Sequence, residues 1–329
     1  MRPATALGAL LLALVASALL GVLAGAVAVD PGDVLAALSG GADAPTTAII
    51  LELRLPRVIA AALVGGALGV AGALLQGLLR NPLADPYVTG TSAGAALGSV
   101  AAVAAGGPAL LAPVAAFVGA LASVAVIWRL ARIGGRTTVL TVLLAGIVIS
   151  SFAGAVVTLL IVASDRLALR LRAVLDVLVG GVTSRGGAEL LVALCIVAVG
   201  TIWALVLAPR LDAYAFGEET AATLGVDTDW TTTSVLVATA LLTGAAVALA
   251  GLVSFVGLVI PHALRPLVGA RHVVLVPACL LGGATVLVLA DLGARVALAP
   301  AELPVGVITG LVGAPFFLLV LTRATRAAA

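Results

Sequence analysis

The chain is 329 residues long, 63% hydrophobic and 10% charged, with a mean hydropathy of +1.30 and a formal net charge of +2. These values exclude a soluble globular domain of this length and leave an all-α integral membrane protein. All 17 basic residues are arginine and no lysine is present. A phosphate-cradling G-x-x-x-x-G-K-[ST] loop therefore cannot form, and any use of ATP falls to another chain.

In chain order, the apolar runs predict ten spans, near 5–29, 57–79, 88–106, 109–131, 138–163, 188–208, 229–250, 254–268, 273–296 and 305–322; a crossing needs about 20 apolar residues, so the third and eighth are short. The first run follows Arg2 and ends on the small-x-small Ala26–Val27–Ala28, as a secretory leader would. Its apolar stretch of about 24 residues exceeds the roughly 7–15 of a leader core, which predicts an uncleaved first span. The second span opens with "LRLPRVIAAALVGG", Leu53 to Gly66, with Pro56 in the first turn and Arg54 and Arg57 three apart at a membrane edge. With 38 glycines, abundant alanine and only 3% aromatics, helices are expected to meet through small side chains rather than through aromatic girdles.

Two stretches echo each other: "AGALLQGLLRNPLADP", Ala71 to Pro86, and "AGLVSFVGLVIPHALRP", Ala250 to Pro266. They end the second and seventh spans, which an odd number of crossings separates, so the halves would be inverted pseudo-repeats with Gly/Pro-broken helices, a pattern found in transporters. In the first stretch Pro82 stops the helix and Asn81 is placed to satisfy freed backbone groups. Gln76, Thr89, Thr91 and Ser92 are polar side chains in apolar surroundings that either line a path or bond across helices; the sequence leaves both open.

With the N-terminus in the cytoplasm, inner connections hold ten arginines and outer ones seven, the expected direction of bias. The longest inner connection is "LDAYAFGEETAATLGVD", Leu211 to Asp227, within a cytoplasmic region 209–228 of a single 1–329 transmembrane domain. Its helical stretch around Glu218 and Glu219 ends at Gly225, and Ala221, Ala222, Leu224 and Val226 give it an apolar face suited to a cytoplasmic partner.

Enzymatic constellations are missing: no H-E-x-x-H, no G-x-S-x-G and no spaced carboxylate cluster for a metal. Cys195 and Cys279 read as small buried hydrophobes, and His262 and His272 as structural or interfacial residues. Asp85, Asp176 and Asp291 lie near predicted span ends, which argues against an ion-driven carrier.

The runs "RLPRVIAAALVGGALGVAGALLQGLLRNPLADPYVTGTSAGAALGS", "GEETAATLG", "GLVSFVGLVIPHALRPLVGARH" and "ADLGARVALAPAELPVGVITGLVGAPFFLLVL" together resemble the FecCD family, permease subunits of ATP-binding-cassette importers for iron-siderophores, haem and cobalamin. The resemblance covers nearly the whole chain. It implies a ten-span type II importer fold in a bacterial cytoplasmic membrane with both termini cytoplasmic, and a second permease copy, identical or related, with the substrate path along the dimer interface. It also implies two ATP-binding subunits, which alone use ATP and Mg, and an extracytoplasmic substrate-binding protein.

By the same resemblance, Gly217, Glu218, Ala221, Leu224 and Gly225 couple to the ATPase. Arg54, Arg57 and Arg295 on the outer rim receive carboxylates of the binding protein, a task that suits a planar, permanently charged fork. Gln76, Asn81, Thr91 and Ser92 are placed on the translocation path, and Thr137, Thr138 and Thr141 of "RIGGRTTVLT" at an inner gate. The segment Asp165 to Gly181 resembles the family's short surface helix, with Arg166, Arg170 and Arg172 as added docking contacts. No cofactor, metal or nucleic acid is expected in this chain. The implied function is import of a ferric siderophore by alternating access; alternatives are cobalamin or haem on the same fold, or an ion-coupled secondary transporter.

Overall fold

The computed structural model describes residues 3–25, 29–107, 111–131, 139–164, 177–183, 186–299 and 301–328. Among them the helices are α1 Pro3–Leu23, α2 Pro31–Ser39, α3 Ala44–Thr47, α4 Leu55–Leu79, α5 Thr91–Ala104, α6 Leu111–Ala131, α7 Val139–Ala163, α8 Gly187–Tyr214, α9 Glu218–Thr223, α10 Thr228–Ala250, α11 Val256–Val268, α12 His272–Val296 and α13 Val305–Ala328. Seven are long and apolar enough to cross a membrane, α4 as part of a continuous Ala44–Leu79, and three apolar helices are shorter: Thr91–Ala104, Val256–Val268 and Val305–Leu319. Each of the ten expected spans falls on one of these, and the expected third and eighth are among the short ones.

Layering follows from burial. The apolar windows of Ala44–Leu79 and Thr228–Ala250 are 89% and 78% buried, against 17% for Thr141–Ala163 and 22% for Pro3–Leu23. Thus α4 and α10 are surrounded by the rest of the chain, whereas most of the surface of α1 and α7 is left uncovered by it. Helix α4 lies along α12 through glycines. A methyl group placed on Gly65 would run into the carbonyl of Gly283, one on Gly283 would meet that of Gly65, and one on Gly69 would meet that of Cys279. A similar contact joins α5 to α6, where Gly94 and Gly119 each abut the other's carbonyl. These pairs carry out the small-residue packing that the composition predicts.

The echo becomes a structural pseudo-repeat. Each half holds a long buried helix, a break and a short helix: α4, residues 80–90 and α5, then α10, residues 251–255 and α11. The two breaks meet, with Gly257 against Pro86 and the Val253 amide donating to the Tyr87 hydroxyl at 3.2 Å. Backbone groups freed inside an apolar bundle must find partners. Asn81 Oδ1 accepts from the Leu83 amide at 2.9 Å, Asp85 Oδ1 from Tyr87 at 2.8 Å, and the Leu252 amide donates to Val177 at 2.9 Å. Two non-glycine residues adopt left-handed backbone at the breaks, Arg80 at φ 48° and Phe255 at φ 68°. For a residue as bulky as phenylalanine that conformation persists only because its surroundings enforce it.

The two cysteines differ: Cys279 is buried, as expected, but Cys195 is exposed on the α8 surface. A period-free apolar run hides which face is protein and which is lipid.

Gly65→Ala should lower the thermal midpoint of the detergent-solubilised protein, by an overpacking cost of about 1–3 kcal/mol. Gly8→Ala, with nothing within 4 Å of the added methyl, should leave it unchanged; equal midpoints for both variants would refute backbone-close packing of α4 on α12.

Candidate functional site

Charged and polar side chains cluster at the two opposite ends of the α4–α12 pair. At the first end a widened helical turn, Ala48–Arg54, leads into α4 with Pro56 in its first turn. The sequence suggests a water-facing pair here, but Arg54 is only 7% exposed. Its guanidinium donates to the carbonyls of Val22 at 2.8 Å and Leu23 at 2.9 Å. Arg295, 5% exposed, donates to Gly21 at 2.9 Å and Ala24 at 3.3 Å. Together the two arginines serve the last turn of α1, whose terminal carbonyls have no partner within the helix and favour cations.

Beside Arg295 sits Asp291, 1% exposed. Its Oδ2 lies 3.1 Å from Arg295 Nε, one turn on along α12, and its Oδ1 accepts from Arg57 Nε at 3.0 Å. Arg57 then extends NH1 to Glu302 Oε2 at 2.7 Å, on the connection from α12 to α13. That connection is pinned by the Leu303 amide donating to Ala294 at 3.1 Å. Arg54, Arg57 and Arg295 therefore share one end of the fold, around a buried carboxylate and a helix end that sequence reading passed over. The Asp291–Arg295 spacing of four was the available signal; Arg57–Asp291, 234 residues apart, had none.

The opposite end carries the elbow between α8 and α10. Gly217 enters it at φ 108° and Gly225 leaves α9 at φ 85°. There the Gly225 amide donates to Ala222 and the Val226 amide to Ala221, each at 3.0 Å, the paired bonds of a glycine-terminated helix. Ala221 is buried and seats the elbow, while Phe216 at 75% and Leu224 at 65% exposure stand outward. The outward apolar surface is thus Phe216, Ala222 and Leu224, with Ala221 turned inward. Glu218 opens α9 beside Glu219, where acidic groups favour a helix start. The Tyr214 hydroxyl closes the elbow by donating to Thr228 O at 3.0 Å. Asp212, five residues before Gly217, has its Oδ1 2.8 Å from the His272 amide and 2.7 Å from its ring Nδ1. It thereby caps α12 from the end of α8.

Next to this end, Gln76 joins the first break to α11. Its Nε2 donates to Leu258 O at 3.1 Å and Ala84 O at 3.3 Å, and its Oε1 accepts from Arg265 NH1 at 2.6 Å. The open choice between path lining and cross-helix bonding resolves, in this structure, to bonding, with Gln76 2% exposed. Thr91 is likewise buried and donates to Pro86 O at 3.0 Å. Ser92 is half-buried and Asn81 exposed, so these four cluster about the first break. Thr141 lies half-buried in the first turn of α7. Thr137 and Thr138 lie outside the described residues, as do Arg166, Arg170 and Arg172. Among the described residues no group of His, Cys, Asp and Glu could hold a metal ion.

The family model of the FecCD transport family matches residues 11–323. This chain belongs to the FecCD family. It is 42% identical to an uncharacterised ABC transporter permease, YvrB, of Bacillus subtilis, over 87% of this chain and 82% of that one. It is 42% identical to the hemin transport permease HmuU of Yersinia pestis, over 84% and 83%, and 41% identical to the cobalamin import permease BtuC of Halobacterium salinarum, over 84% and 74%. Among solved structures, it resembles a candidate metal-chelate type ABC transporter in an inward-facing conformation, with a TM-score of 0.87 and 30% identity over 96% of this chain and 98% of the other. The FecCD chain is thus a multi-pass permease subunit of the ABC-importer class, and the resemblance drawn from its motifs holds.

Gln76→Leu should lower the thermal midpoint of the solubilised protein. It strips partners from two buried carbonyls and from Arg265, each orphaned group costing about 1–3 kcal/mol. A midpoint within error of wild type would remove Gln76 from its place as the clip between the first break and α11.

Proposed function

We propose that this permease imports a large metal chelate by alternating access, driven by two separate ATP-binding subunits and supplied by an extracytoplasmic binding protein. The observation that carries the reading is the elbow: an exposed apolar pair, Phe216 and Leu224, flanking a short helix set between two glycines, on a chain without lysine to hold nucleotide. Gly217, Glu218, Ala221, Leu224 and Gly225 form the coupling element, with Ala221 as its seat and Leu224 as its contact. That end faces the cytoplasm together with both termini, and the Arg57 end faces outward. A second copy of the permease completes the translocation path, on which Asn81, Ser92 and the first break abut, with Thr137, Thr138 and Thr141 at its cytoplasmic gate.

On the outer rim, Arg57 is the docking contact, and Arg54 and Arg295 hold the frame around it. Charged rim contacts chiefly set encounter rate and orientation and weaken with added salt. The cargo proposed from the family's range is a ferric siderophore. Cobalamin or haem is the second reading, favoured by two relatives, a cobalamin import permease and a hemin transport permease. The ligand that co-purifies with the binding protein decides between them.

Reconstituted in vesicles with its ATPase and binding protein, the permease should accumulate chelate only with ATP inside the ATPase compartment. Uptake that survives ATP removal under an ion gradient would convert the reading to a secondary carrier. Leu224→Asp should reduce co-purification of the ATPase by tenfold or more, by placing a charge in an apolar contact (about 1.4 kcal/mol per factor of ten). Retained co-purification would move the contact elsewhere.

A further inference from the structure

The three rim guanidiniums are committed to different degrees. Arg54 and Arg295 are spent on the carbonyls that end α1, and Arg295 also on Asp291. Neither can turn outward without leaving buried carbonyls and a buried carboxylate unpaired, a strongly unfavourable exchange. Arg57 is divided. Its Nε belongs to this frame through Asp291, whereas its NH1 points to Glu302, a carboxylate 50% exposed on a loop.

We propose that Glu302 is an internal stand-in for the docking partner's carboxylate. It occupies the outward arm of Arg57 in the undocked permease and yields that arm when an acidic side chain of the binding protein arrives. The proposal rests on the docking reading above and adds to it which arginine exchanges partners and what it exchanges. The physical basis is the difference between two carboxylates. Asp291 is locked between two guanidiniums at 3.0 and 3.1 Å inside the protein. The Glu302 pair faces water, where an ion pair contributes only about 0.2–1 kcal/mol. A partner carboxylate sealed from water by the interface gains a charge-assisted bond in a less polar setting, and so displaces it.

In the undocked state Glu302 has two consequences. It holds the Arg57 side chain extended along the rim rather than leaving one arm unpartnered, and it removes one unit of positive charge from a cluster of three arginines and one aspartate. Both effects make docking a replacement reaction, so the partner's affinity carries the cost of evicting Glu302.

The test measures binding of the exported binding protein to the complete permease–ATPase complex in nanodiscs, at low and moderate salt. Glu302→Gln should tighten binding by about 1.4- to 5-fold, the exposed pair's 0.2–1 kcal/mol expressed as affinity. Arg57→Gln should weaken binding, and Glu302→Gln added to it should bring no further change, because the arm that Glu302 blocks is gone. Arg57→Lys keeps a positive charge beside Asp291 while removing the fork. A thermal midpoint and ATPase content near wild type for this variant separate lost docking from lost folding.

If Glu302→Gln weakens binding, or leaves it unchanged while Arg57→Gln weakens it, the stand-in is refuted and Glu302 is itself a docking or positioning residue. If both Arg57 variants bind as wild type, the docking reading of Arg57 fails instead.

Discussion

The contact of Gly65 on α4 with Gly283 on α12, carbonyl against α-carbon in both directions, is the constraint on which the other features depend. In an apolar solvent no hydrophobic force draws helices together, so association relies on close van der Waals fit and on polar groups that find each other. Glycine removes the side chains that would hold the two axes apart. Once α4 and α12 are in contact, their ends are in register: Arg57 stands beside Asp291 at one end, and Gly77 against the His272 ring at the other. Both clusters follow from one line of small residues. An aliphatic side chain at either glycine would not only strain the pair locally but separate the charges that α12 carries at its tips.

The breaks pose the opposite problem. Interrupting α4–α5 and α10–α11 inside the bundle frees amides and carbonyls that lipid cannot solvate. The protein answers with Asp85, which accepts from Tyr87, and with one long side chain, Gln76, that serves the Ala84 carbonyl of the first break and the Leu258 carbonyl in the first turn of α11 at once, while Asn81 accepts from Leu83 at the exposed edge of the first break. Inverted repeats make that economy available, because a two-fold relation brings the two broken segments face to face near its axis. The left-handed Phe255 at the mouth of α11 is held in the same zone. Strain and polar satisfaction are concentrated where the two halves touch, which is where relative motion of the halves would have to be absorbed.

Sequence reading recovered the ten apolar segments, the helix stop at Asn81 and Pro82, the glycine end of α9 and the inverted echo. Each is encoded locally, in composition, in a turn residue or in a repeated word. The site was legible only as a set of residues. That Arg54, Arg57 and Arg295 share one end was readable; that two of them serve the end of α1 was not, because main-chain carbonyls leave no mark in a sequence. Asp291 was set aside as lying near a span end, since its burial is created by α1 and α4 packing over it. Ala221 and Leu224 read as one apolar face on a helix too short for periodicity to assign, and the structure points them in opposite directions. What escaped reading was tertiary in every case: partners far apart in the chain, or a choice of face that a uniformly apolar sequence does not record.

The choice of arginine at the rim follows from geometry as much as from charge. Arg295 pairs with the charge of Asp291 and donates from separate nitrogens to Gly21 in α1 and to Ala24 just past its end, which requires donors spread across a planar fork. A lysine ammonium is a single compact centre and could not span the helix end and the carboxylate together. The same reasoning applies to Arg57, whose Nε and NH1 reach two carboxylates on different elements. Helix α12 therefore ends in a junction that ties α1, α4 and the following loop, and begins in one that ties α8 through Asp212. Over 25 residues, about 37 Å at 1.5 Å each, a single continuous helix is bonded at its start to the segment leading into the elbow and at its finish to the arginine rim. Displacement at either end must move this helix as a body or break a charged junction, and the second costs more than the first wherever the junction is buried.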